Sequence, residues 1–397
     1  MNVPKLRFKE FNDEYNITKM NEIIDIIDGD RGNNYPKAND FYDSEFCLFL
    51  NAGNVTKNGF NFKNNQFITK EKDKKLRKGK LLINDIVLTT RGTVGNVAWF
   101  NEKIPYKNIR INSGMVINRI KEDGYLLPEY LYSYMKSPIF ENQVNKMNYG
   151  SAQPQLTVSG INKFNIQYPT IDEQKKVSTI MLLFDKKIEL QSKKIEDLKL
   201  FKKGLNKNIF SNFNAKYKID ELIKEYNQKT SKNNQFEVLS STANGIILQN
   251  EFFNKQAASL DNTGYKIVPF GFITYRSMSD TGEFHFNIQN ITENGIVSPA
   301  YPVFEINEDI VDKTYFIYYI NENKSFKNKI LSLKEGGTRY ALSMSKFKEI
   351  NLDLPPLEYQ KKYSKLLNTY NRKIKNEENK LNKLQELKKG LMQNMFV

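Results

Sequence analysis

The sequence predicts an α+β protein. Two globular α/β modules are joined by two long antiparallel helices, which form an intramolecular coiled coil in a circular, pseudo-two-fold arrangement. The first observation behind this prediction is a repeated segment, because "FKKGLNKNIF" at 201–210 is similar to "LKKGLMQNMF" at 387–396. The shift of 186 positions holds without a gap for about sixty residues. A repeat of this kind indicates a duplicated architecture.

The second observation is the spacing of apolar residues, which recur every seven positions along two adjacent lines in both copies. This pattern is typical of a long helix with one packing seam, and charged residues fill the remaining, solvated positions. In each copy one position of this seven-residue pattern is polar, and it is occupied by Gln191 in the first helix and by Glu377 in the second. The predicted core of the helix pair consists of Val177, Phe184, Ile188, Ile195, Leu198 and Leu205 in the first helix, and Tyr370, Ile374, Leu381, Leu384 and Leu391 in the second.

The starts of both helices also carry signals. Thr170 and Glu173 have the spacing of a capping box directly after Pro169. In the second copy, Pro356 suits the first turn of a helix. Each predicted helix runs for roughly 35 residues, or about 50 Å at 1.5 Å per residue.

The third observation is that the repeat closes on itself. The segment after the first helix, "IFSNFNAKYKI" at 209–219, resembles "RFKEFNDEYNI" at 7–17. The second helix is therefore expected to end beside the start of the first module. The predicted domains are a first module at 1–168, a central helix at 169–210, a second module at 211–354 and a C-terminal helix at 355–397.

Composition indicates the kind of partner. The formal net charge of +15 and a pI near 9.3 over 397 residues favour a polyanion, usually nucleic acid, although a lysine-rich proteome is an open alternative explanation. One cysteine, Cys47, excludes a disulfide within the chain and a cysteine-rich zinc site. No apolar run of about 18 residues is present, so we expect no signal peptide or membrane span and a cytoplasmic protein.

The motifs of several enzyme classes are missing. We find no GxxxxGK[ST] phosphate loop, no Asn-Pro-Pro-aromatic motif of amino-methyltransferases, and no nuclease-like carboxylate pair followed by Glu-x-Lys. The single histidine, His285, lies in an aromatic strand pattern and is interpreted as structural. The sequence therefore predicts no catalytic residues and no metal ligands.

The modules carry loops suited to nucleic acid. "RGTVG" at 91–95 is either a plain hairpin turn or a loop whose amides, threonine and guanidinium approach DNA. "NYGSAQPQL" at 148–156 and "EGGTRYAL" at 335–342 are polar loops at matching places in the two copies. The second module has no "RGTVG", so no base-contact role is transferred to it. The candidate DNA contacts are Arg91, Thr93, Lys107, Arg110, Ser151, Gln153 and Gln155 in the first module, and Ser241, Asn244, Arg276, Ser277, Thr338, Arg339 and Tyr340 in the second.

These candidates are expected to have different roles. Lys107 and Arg110, in "PYKNIR", are predicted to contact phosphates. Arg91, Gln153 and Arg339 are predicted to lie nearer to the bases.

Several of these features together resemble the DNA-specificity subunit of type I restriction-modification systems. They are "VPKLRFKEF" at the start, "RGTVG", "PTIDEQKKVSTIMLLFDKKIEL" with its later echo, and the "LKKGL" helix end. The resemblance covers essentially the whole chain, and the Pro-x-x-x-x-Gln-Lys-Lys entry to each helix is its most specific part. It implies two target recognition domains, each reading one half of a split DNA site. It also implies two helices that fix the separation of these domains and dock two methyltransferase subunits, with motor-nuclease subunits completing the complex.

The resemblance implies a non-catalytic subunit that directs adenine methylation and restriction, with S-adenosylmethionine and ATP held only by partner subunits. Because the modules differ inside, the bipartite double-stranded site is expected to be asymmetric. Two other functions fit the sequence less well. A self-contained modification-restriction enzyme would need a cofactor domain for which the chain lacks room and motifs. A structural coiled-coil scaffold would explain the helices but not two basic, loop-rich modules.

Overall fold

The computed structural model describes residues 3–121, 124–148, 154–210, 215–249, 261–332 and 340–396. The chain divides into two compact units. Unit 1 contains Met1–Lys193 and Glu378–Val397, and unit 2 contains Lys194–Glu377. Each long helix therefore begins in one unit and ends in the other.

Unit 1 is built around a four-stranded antiparallel sheet in the order β2-β10-β7-β8, with a pair β1-β11 and smaller sheets β6-β3-β9 and β4-β5. Its strands are β1 (Asn16–Lys19), β2 (Ile24–Asp28), β3 (Cys47–Phe49), β4 (Val55–Thr56), β5 (Gly59–Phe60), β6 (Phe67–Ile68), β7 (Ile86–Thr89), β8 (Val97–Trp99), β9 (Ile109–Arg110), β10 (Met115–Ile120) and β11 (Asn165–Tyr168). Its helices are α1 (Met20–Ile23), α2 (Lys70–Lys75), α3 (Pro128–Met135), α4 (Pro138–Asn148), α5 (Val158–Ile161) and the first part of α6 (Ile171–Ile209), with 3₁₀ turns at Ala38–Asp40 and Ala52–Asn54.

Unit 2 repeats this plan. A four-stranded sheet β13-β21-β17-β19 and a pair β12-β23 match the main sheet and pair of unit 1, beside a sheet β15-β14-β20-β16 and a pair β18-β22. The strands are β12 (Ala215–Lys218), β13 (Ile223–Glu225), β14 (Glu237–Thr242), β15 (Gly245–Leu248), β16 (Lys266–Pro269), β17 (Ile273–Thr274), β18 (Met278–Ser279), β19 (Asn287–Ile288), β20 (Asn294–Val297), β21 (Val303–Ile306), β22 (Tyr340–Ala341) and β23 (Asn351–Leu354). The helices are α7 (Ile219–Leu222), α8 (Lys313–Glu322), α9 (Lys324–Ser332), α10 (Met344–Glu349) and α11 (Leu357–Met395), which ends in unit 1.

The two long helices run antiparallel within each unit. In unit 2, Lys194 pairs with Glu377 at 3.1 Å, and the rings of Phe201 and Tyr370 are 5.2 Å apart. The contacts therefore move forward along α6 and backward along α11, as in an antiparallel pair. In unit 1, Lys388 Nζ lies 2.5 Å from Asp185. The predicted α+β architecture with an antiparallel helix pair is confirmed.

Among the residues predicted to form the core of the helix pair, Val177, Ile195 and Ile374 are buried and the others are half-buried. Val177 packs in the hydrophobic core of unit 1. Glu377, at the polar position of the second helix, is only 5% exposed, and its carboxylate pairs with Lys194, whose side chain is 51% exposed. A half-exposed ion pair of this kind adds little stability.

A buried glutamine fastens each module to the start of its long helix. Gln174, in unit 1, accepts a hydrogen bond from Leu127 N (2.9 Å) and donates to Tyr125 O (2.8 Å) and Pro169 O (2.9 Å). The amide is fully buried and its main bonding capacity is used. This contact gives the Pro-x-x-x-x-Gln spacing a structural reason.

The same contact recurs in unit 2. Gln360 accepts from Asp312 N at 2.9 Å and donates to Pro355 O at 2.8 Å and Ile310 O at 3.3 Å. In both units the glutamine therefore joins the end of the last strand pair to the segment that leads into α3 or α8.

The repeated segment at the helix ends makes the same aromatic packing contact in each unit. Phe396 lies 5.6 Å from the ring of Tyr130 and 6.0 Å from that of Tyr134 in unit 1. Phe210 contacts Tyr315 and Tyr319 in the same way in unit 2. Leu6 N also donates to the carbonyl of Asn394 at 2.8 Å. The expected closeness of the second helix end to the start of the first module is confirmed.

One local prediction is wrong. Glu173 forms no capping box, because its carboxylate accepts from Arg7 (2.7 and 2.9 Å) and from the hydroxyl of Tyr15 (3.1 Å).

Candidate nucleic-acid interface

Three of the candidate DNA contacts of unit 1, Arg91, Thr93 and Gln155, lie at one edge of the main sheet. Because neighbouring strands are antiparallel, the end of β2, the start of β10 and the end of β7 lie at the same edge. The loops there are 29–34, 112–114 and 90–96. They are joined by hydrogen bonds from the amides of Thr90 and Arg91 to Gly114 O, at 2.7 and 3.3 Å.

Arg91 and Gln155 are exposed side chains that meet at this edge. With its amide oriented to satisfy both partners, Gln155 Oε1 accepts from Arg91 Nε at 3.2 Å and Nη2 at 2.8 Å. The backbone brings them together, since Leu156 N donates to Thr90 O at 3.0 Å. Because the amide oxygen of Gln155 is used by Arg91, the pair presents the remaining N–H donors of the guanidinium and the amide, which suit acceptors on base edges.

The predicted glycine loop is a hairpin turn between β7 and β8, and it is also open. Gly92 has φ +71° with no atom within 4 Å of where a Cβ would lie, and Thr93 is exposed. The hydroxyl of Thr89 bonds to the carbonyl of Thr93 and accepts from Asn96 N at 2.9 Å, so the loop is fixed from inside. The two interpretations of "RGTVG" are therefore compatible.

Arg31 is a residue of this edge that sequence reasoning missed. Its guanidinium contacts Asp28 at 3.1 Å and Ser113 O at 3.2 Å, and its side chain is 47% exposed. The signal was present, because "DRG" at 30–32 matches "TRG" at 90–92 as an arginine followed by glycine.

Arg110 is not at this edge, and its predicted phosphate contact is incompatible with the structure. It is 5% exposed, and its guanidinium donates to Asp73 Oδ1 (2.5 Å), Asp73 O (2.8 Å), Leu76 O (3.0 Å) and Lys78 O (2.8 Å). Burial raises the pKa of Asp73, but hydrogen bonds from Lys80 and Arg110 outweigh it and lower the pKa. Lys107 is exposed before β9, in the smaller sheet, and shows no contact with Arg91.

Two candidates of unit 2, Arg276 and Ser277, lie at the equivalent edge of its main sheet. Ser277 N donates to Ala300 O at 3.3 Å, and Ser277 O accepts from Leu342 N at 2.8 Å. Thr90 makes the matching bonds, to Gly114 O and from Leu156 N. An exposed arginine adjoins each of these bridging residues: Arg91 follows Thr90 and Arg276 precedes Ser277. The two arginines therefore occupy equivalent positions although the loop sequences differ, and the expectation that no base-contact role transfers between the modules stays a prediction.

The other candidates of unit 2 lie in different surroundings. Tyr340 is half-buried and pairs with Ser279 across β18 and β22. Asn244 is exposed in the turn between β14 and β15. Ser241 is occupied internally, because its hydroxyl accepts from Asn287 at 2.7 Å and lies 3.3 Å from Thr274 O and His285 O. Four candidates lie outside the described residues: Ser151, Gln153, Thr338 and Arg339.

Burial and charge act together around Arg276. Burial raises the pKa of Tyr301, and the positive charge of Arg276 offsets part of this rise. Tyr301 lies in the loop before β21, which is the counterpart of loop 112–114. The arginine therefore faces the same group of loops in both units.

Within the described ranges, no group of three or more histidine, cysteine, aspartate or glutamate residues is placed to hold a metal ion. No helix in that part of the chain is both long and apolar enough to cross a membrane. Cys47 is buried, and burial raises the pKa of its thiol to about 12.

A family model described as "Type I restriction modification DNA specificity domain" matches residues 12–200 and again 210–386. The two matches together cover most of the chain. The chain belongs to the type I DNA-specificity family. Each match spans one module and most of the long helix that follows it, so the repeat seen in the sequence is two copies of one family domain.

Members of this family from Methanocaldococcus jannaschii are among the relatives. The type I restriction enzyme MjaIX specificity subunit is 33% identical over 147 residues, which is 37% of this chain and 32% of that relative. This chain thus matches about a third of the length of that protein. The putative MjaX specificity subunit is 22% identical over 354 residues, covering 81% of this chain and 79% of the relative.

Solved structures of type I specificity subunits have the same fold. The S subunit from M. genitalium aligns over 100% of this chain and 99% of its own, at 16% identity and a TM-score of 0.60. A structure concerned with assembly and conformational transition of the type I restriction-modification system covers 95% of this chain and 96% of its own, at 14% identity and a TM-score of 0.55.

Proposed function

We propose that the chain is the non-catalytic specificity subunit of a type I restriction-modification complex. Each module reads one half of an asymmetric, bipartite double-stranded DNA site, and the helix pair sets the spacer between the halves. Adenine methylation and cleavage belong to partner subunits, which hold S-adenosylmethionine and ATP. The site of action is the cytoplasm, where chromosomal DNA is available.

One observation carries this proposal. The same sheet edge of each module presents an exposed arginine beside a residue that bridges two loops, Thr90 in one module and Ser277 in the other. Two similar platforms in one chain suit two half-sites, as two subunits of a dimer do. The loops themselves differ, which supports different half-sites. Arginine can bind guanine through two hydrogen bonds, worth about 1–3 kcal/mol of discrimination.

Arg91→Ala is expected to relax one position in one half-site, and Arg276→Ala one position in the other. The change removes the guanidinium but leaves the backbone bridge, so affinity for the native site should fall by about 1–3 kcal/mol. Competition binding against all single-base variants of the site, using the assembled methyltransferase complex, measures both effects. Lys103→Ala, at the opposite edge of the unit 1 sheet, is the control. Relaxation of the same half by both arginine variants would contradict separate reading.

The helix pair also carries matched surfaces for a partner. Leu387 is 60% exposed in α11, and its repeat equivalent Phe201 is 52% exposed in α6. Three residues later, Gly390 and Gly204 have no atom within 4 Å of where a Cβ would lie. Glycine inside a helix costs about 1 kcal/mol relative to alanine, so its presence at both places favours close approach of another chain.

We assign these surfaces to the methyltransferase subunits, because two equivalent surfaces can each bind one copy of the same partner protein. In unit 1 the surface is a groove of about 500 Å³ that also includes Leu6, Leu391 and Asn394. An apolar groove between helix side chains is a usual place for a partner helix. Two copies are expected, one for each half-site.

Leu387→Glu and Phe201→Glu are each expected to reduce the bound methyltransferase copies from two to one. A buried carboxylate at an apolar contact is strongly unfavourable. Native mass spectrometry of the complex counts the copies, and Leu190→Glu is the control, since Leu190 is 58% exposed but has the polar residue Asn376 as its repeat equivalent. Two copies retained by both variants would place the partner elsewhere.

A further inference from the structure

The first module carries a strip of positive charge that the candidate contacts do not include. Lys74, Lys75, Arg77 and Lys78 are all exposed, and they follow one another at the end of α2. The side chain of Arg77 is 77% exposed and stays in the strip, although its guanidinium also lies 3.7 Å from the carboxylate of Asp30. The neighbouring lysines Lys72 and Lys80 are paired with Asp40 and Asp73 and are not counted in this cationic strip.

The backbone of the cationic strip is held rigid from below by Arg110. The guanidinium binds the carbonyls of Asp73, Leu76 and Lys78, three points along six residues. The one acidic side chain of this segment, Asp73, is consumed by Arg110 and Lys80 at 2.5 and 2.6 Å. Arg110 thus supports a surface that other cations present.

A second anchor joins the cationic strip to the candidate interface. Asp30 accepts from Arg77 N at 2.8 Å and Gly32 N at 2.7 Å, and these bonds lower the pKa of its carboxyl. Gly29, beside it, packs so tightly on loop 112–114 that a Cβ would lie 2.4 Å from Asn112 O. Loop 112–114 in turn holds the amide of Arg91. The cationic strip is therefore continuous with the edge that carries Arg31 and Arg91.

We infer that the cationic strip binds the phosphate backbone of DNA next to the half-site read by the first module. The inference rests on the proposed function and adds a positioning contact to it. Lysine presents a compact charge on a flexible stem, which suits phosphates better than base edges. The rigid backbone spaces the charges in advance, and a cavity of about 410 Å³ beside Arg31 and Arg77 gives a strand room to approach.

The test uses the full chain assembled with its methyltransferase partner. Lys74→Gln/Lys78→Gln should reduce the slope of log Kobs against log salt by about 2, since each phosphate contact contributes about 0.9. Cognate and unrelated duplexes should lose affinity by the same factor, with the motif unchanged. Lys74→Arg/Lys78→Arg should keep the native slope.

The matched control is Lys103→Gln/Lys163→Gln, which removes two exposed lysines that lie outside the cationic strip. An unchanged slope for the 74/78 variant, or an equal fall in the control, would overturn the inference. If the 74/78 variant lost its preference at one base position of the motif, the strip would read bases and the inference would be wrong. If the variant lost its methyltransferase subunits in the absence of DNA, the strip would be a protein-binding surface and the inference would again be wrong. If the native complex itself prefers no sequence, the proposed function fails; if only the 74/78 variant has no effect, this inference alone fails.

Discussion

Gln174→Leu and Gln360→Leu are each expected to lower the free energy of unfolding of one unit by about 3–5 kcal/mol. Each substitution leaves one amide and two carbonyls of the backbone without their partner in a buried site. For Gln174 these are Leu127 N, Tyr125 O and Pro169 O. Leucine has a similar volume, so the loss comes from unsatisfied polar groups and not from a cavity.

Hydrogen exchange followed by mass spectrometry separates the two units. Gln174→Leu should raise exchange at the starts of α3 and α6, and Gln360→Leu at the starts of α8 and α11. Gln385→Leu, at an exposed position of α11, is the control and should change stability by less than about 0.5 kcal/mol. A Gln174 variant as stable as this control would show that the hydrogen bonds of the buried glutamine do not stabilise the module.

Removing one heptad from both helices is expected to abolish methylation of the native site while sparing both half-site sequences. Deleting 187–193 and 378–384 removes facing stretches between the Asp185–Lys388 and Lys194–Glu377 pairs, so the seam is preserved. The helix pair becomes about 10 Å shorter at 1.5 Å per residue. This corresponds to at most about three base pairs at 3.4 Å each.

The measurement is methylation of a library of DNA duplexes that carry the two half-sites at different spacer lengths. The same two halves with a spacer shortened by up to about three base pairs should become the preferred substrate. Deletion of 187–193 alone is the comparison, because it breaks the seam register and should disturb folding. A shortened pair that still prefers the native spacer, or that changes a half-site sequence, would remove the spacing role from the helices.

The repeat and the heptad lines were sufficient to predict the helices and their direction. Seven-residue spacing reports a local, periodic property, and the shared 186-residue shift related the two copies. The function of Gln174 was not predictable in this way, although its motif was noticed. Its three partners lie 5, 47 and 49 residues away, and only the fold brings Tyr125 and Leu127 to the helix start.

The turn motif "RGTVG" lies at an exposed end of the main sheet, whereas charge alone also pointed to a buried residue. Arg91 and Gln155 meet at that exposed end, and their contact with DNA stays a prediction. Arg110 is a cation of the "PYKNIR" segment, but burial beside Asp73 makes it a structural residue. The equivalence of Arg276 to Arg91 depends on backbone bonds of Ser277 and Thr90, which loop sequences do not reveal.

The central claim is that each module reads its own half of the site. Methylome sequencing of a host carrying the system, with the native chain and with 222–354 replaced by the same segment of another family member, tests it most directly. The native chain should give one interrupted, asymmetric methylated motif. The exchanged chain should give a motif with one half and the spacer retained and the other half new. A change in both halves, or an unchanged motif, would contradict separate reading by the two modules.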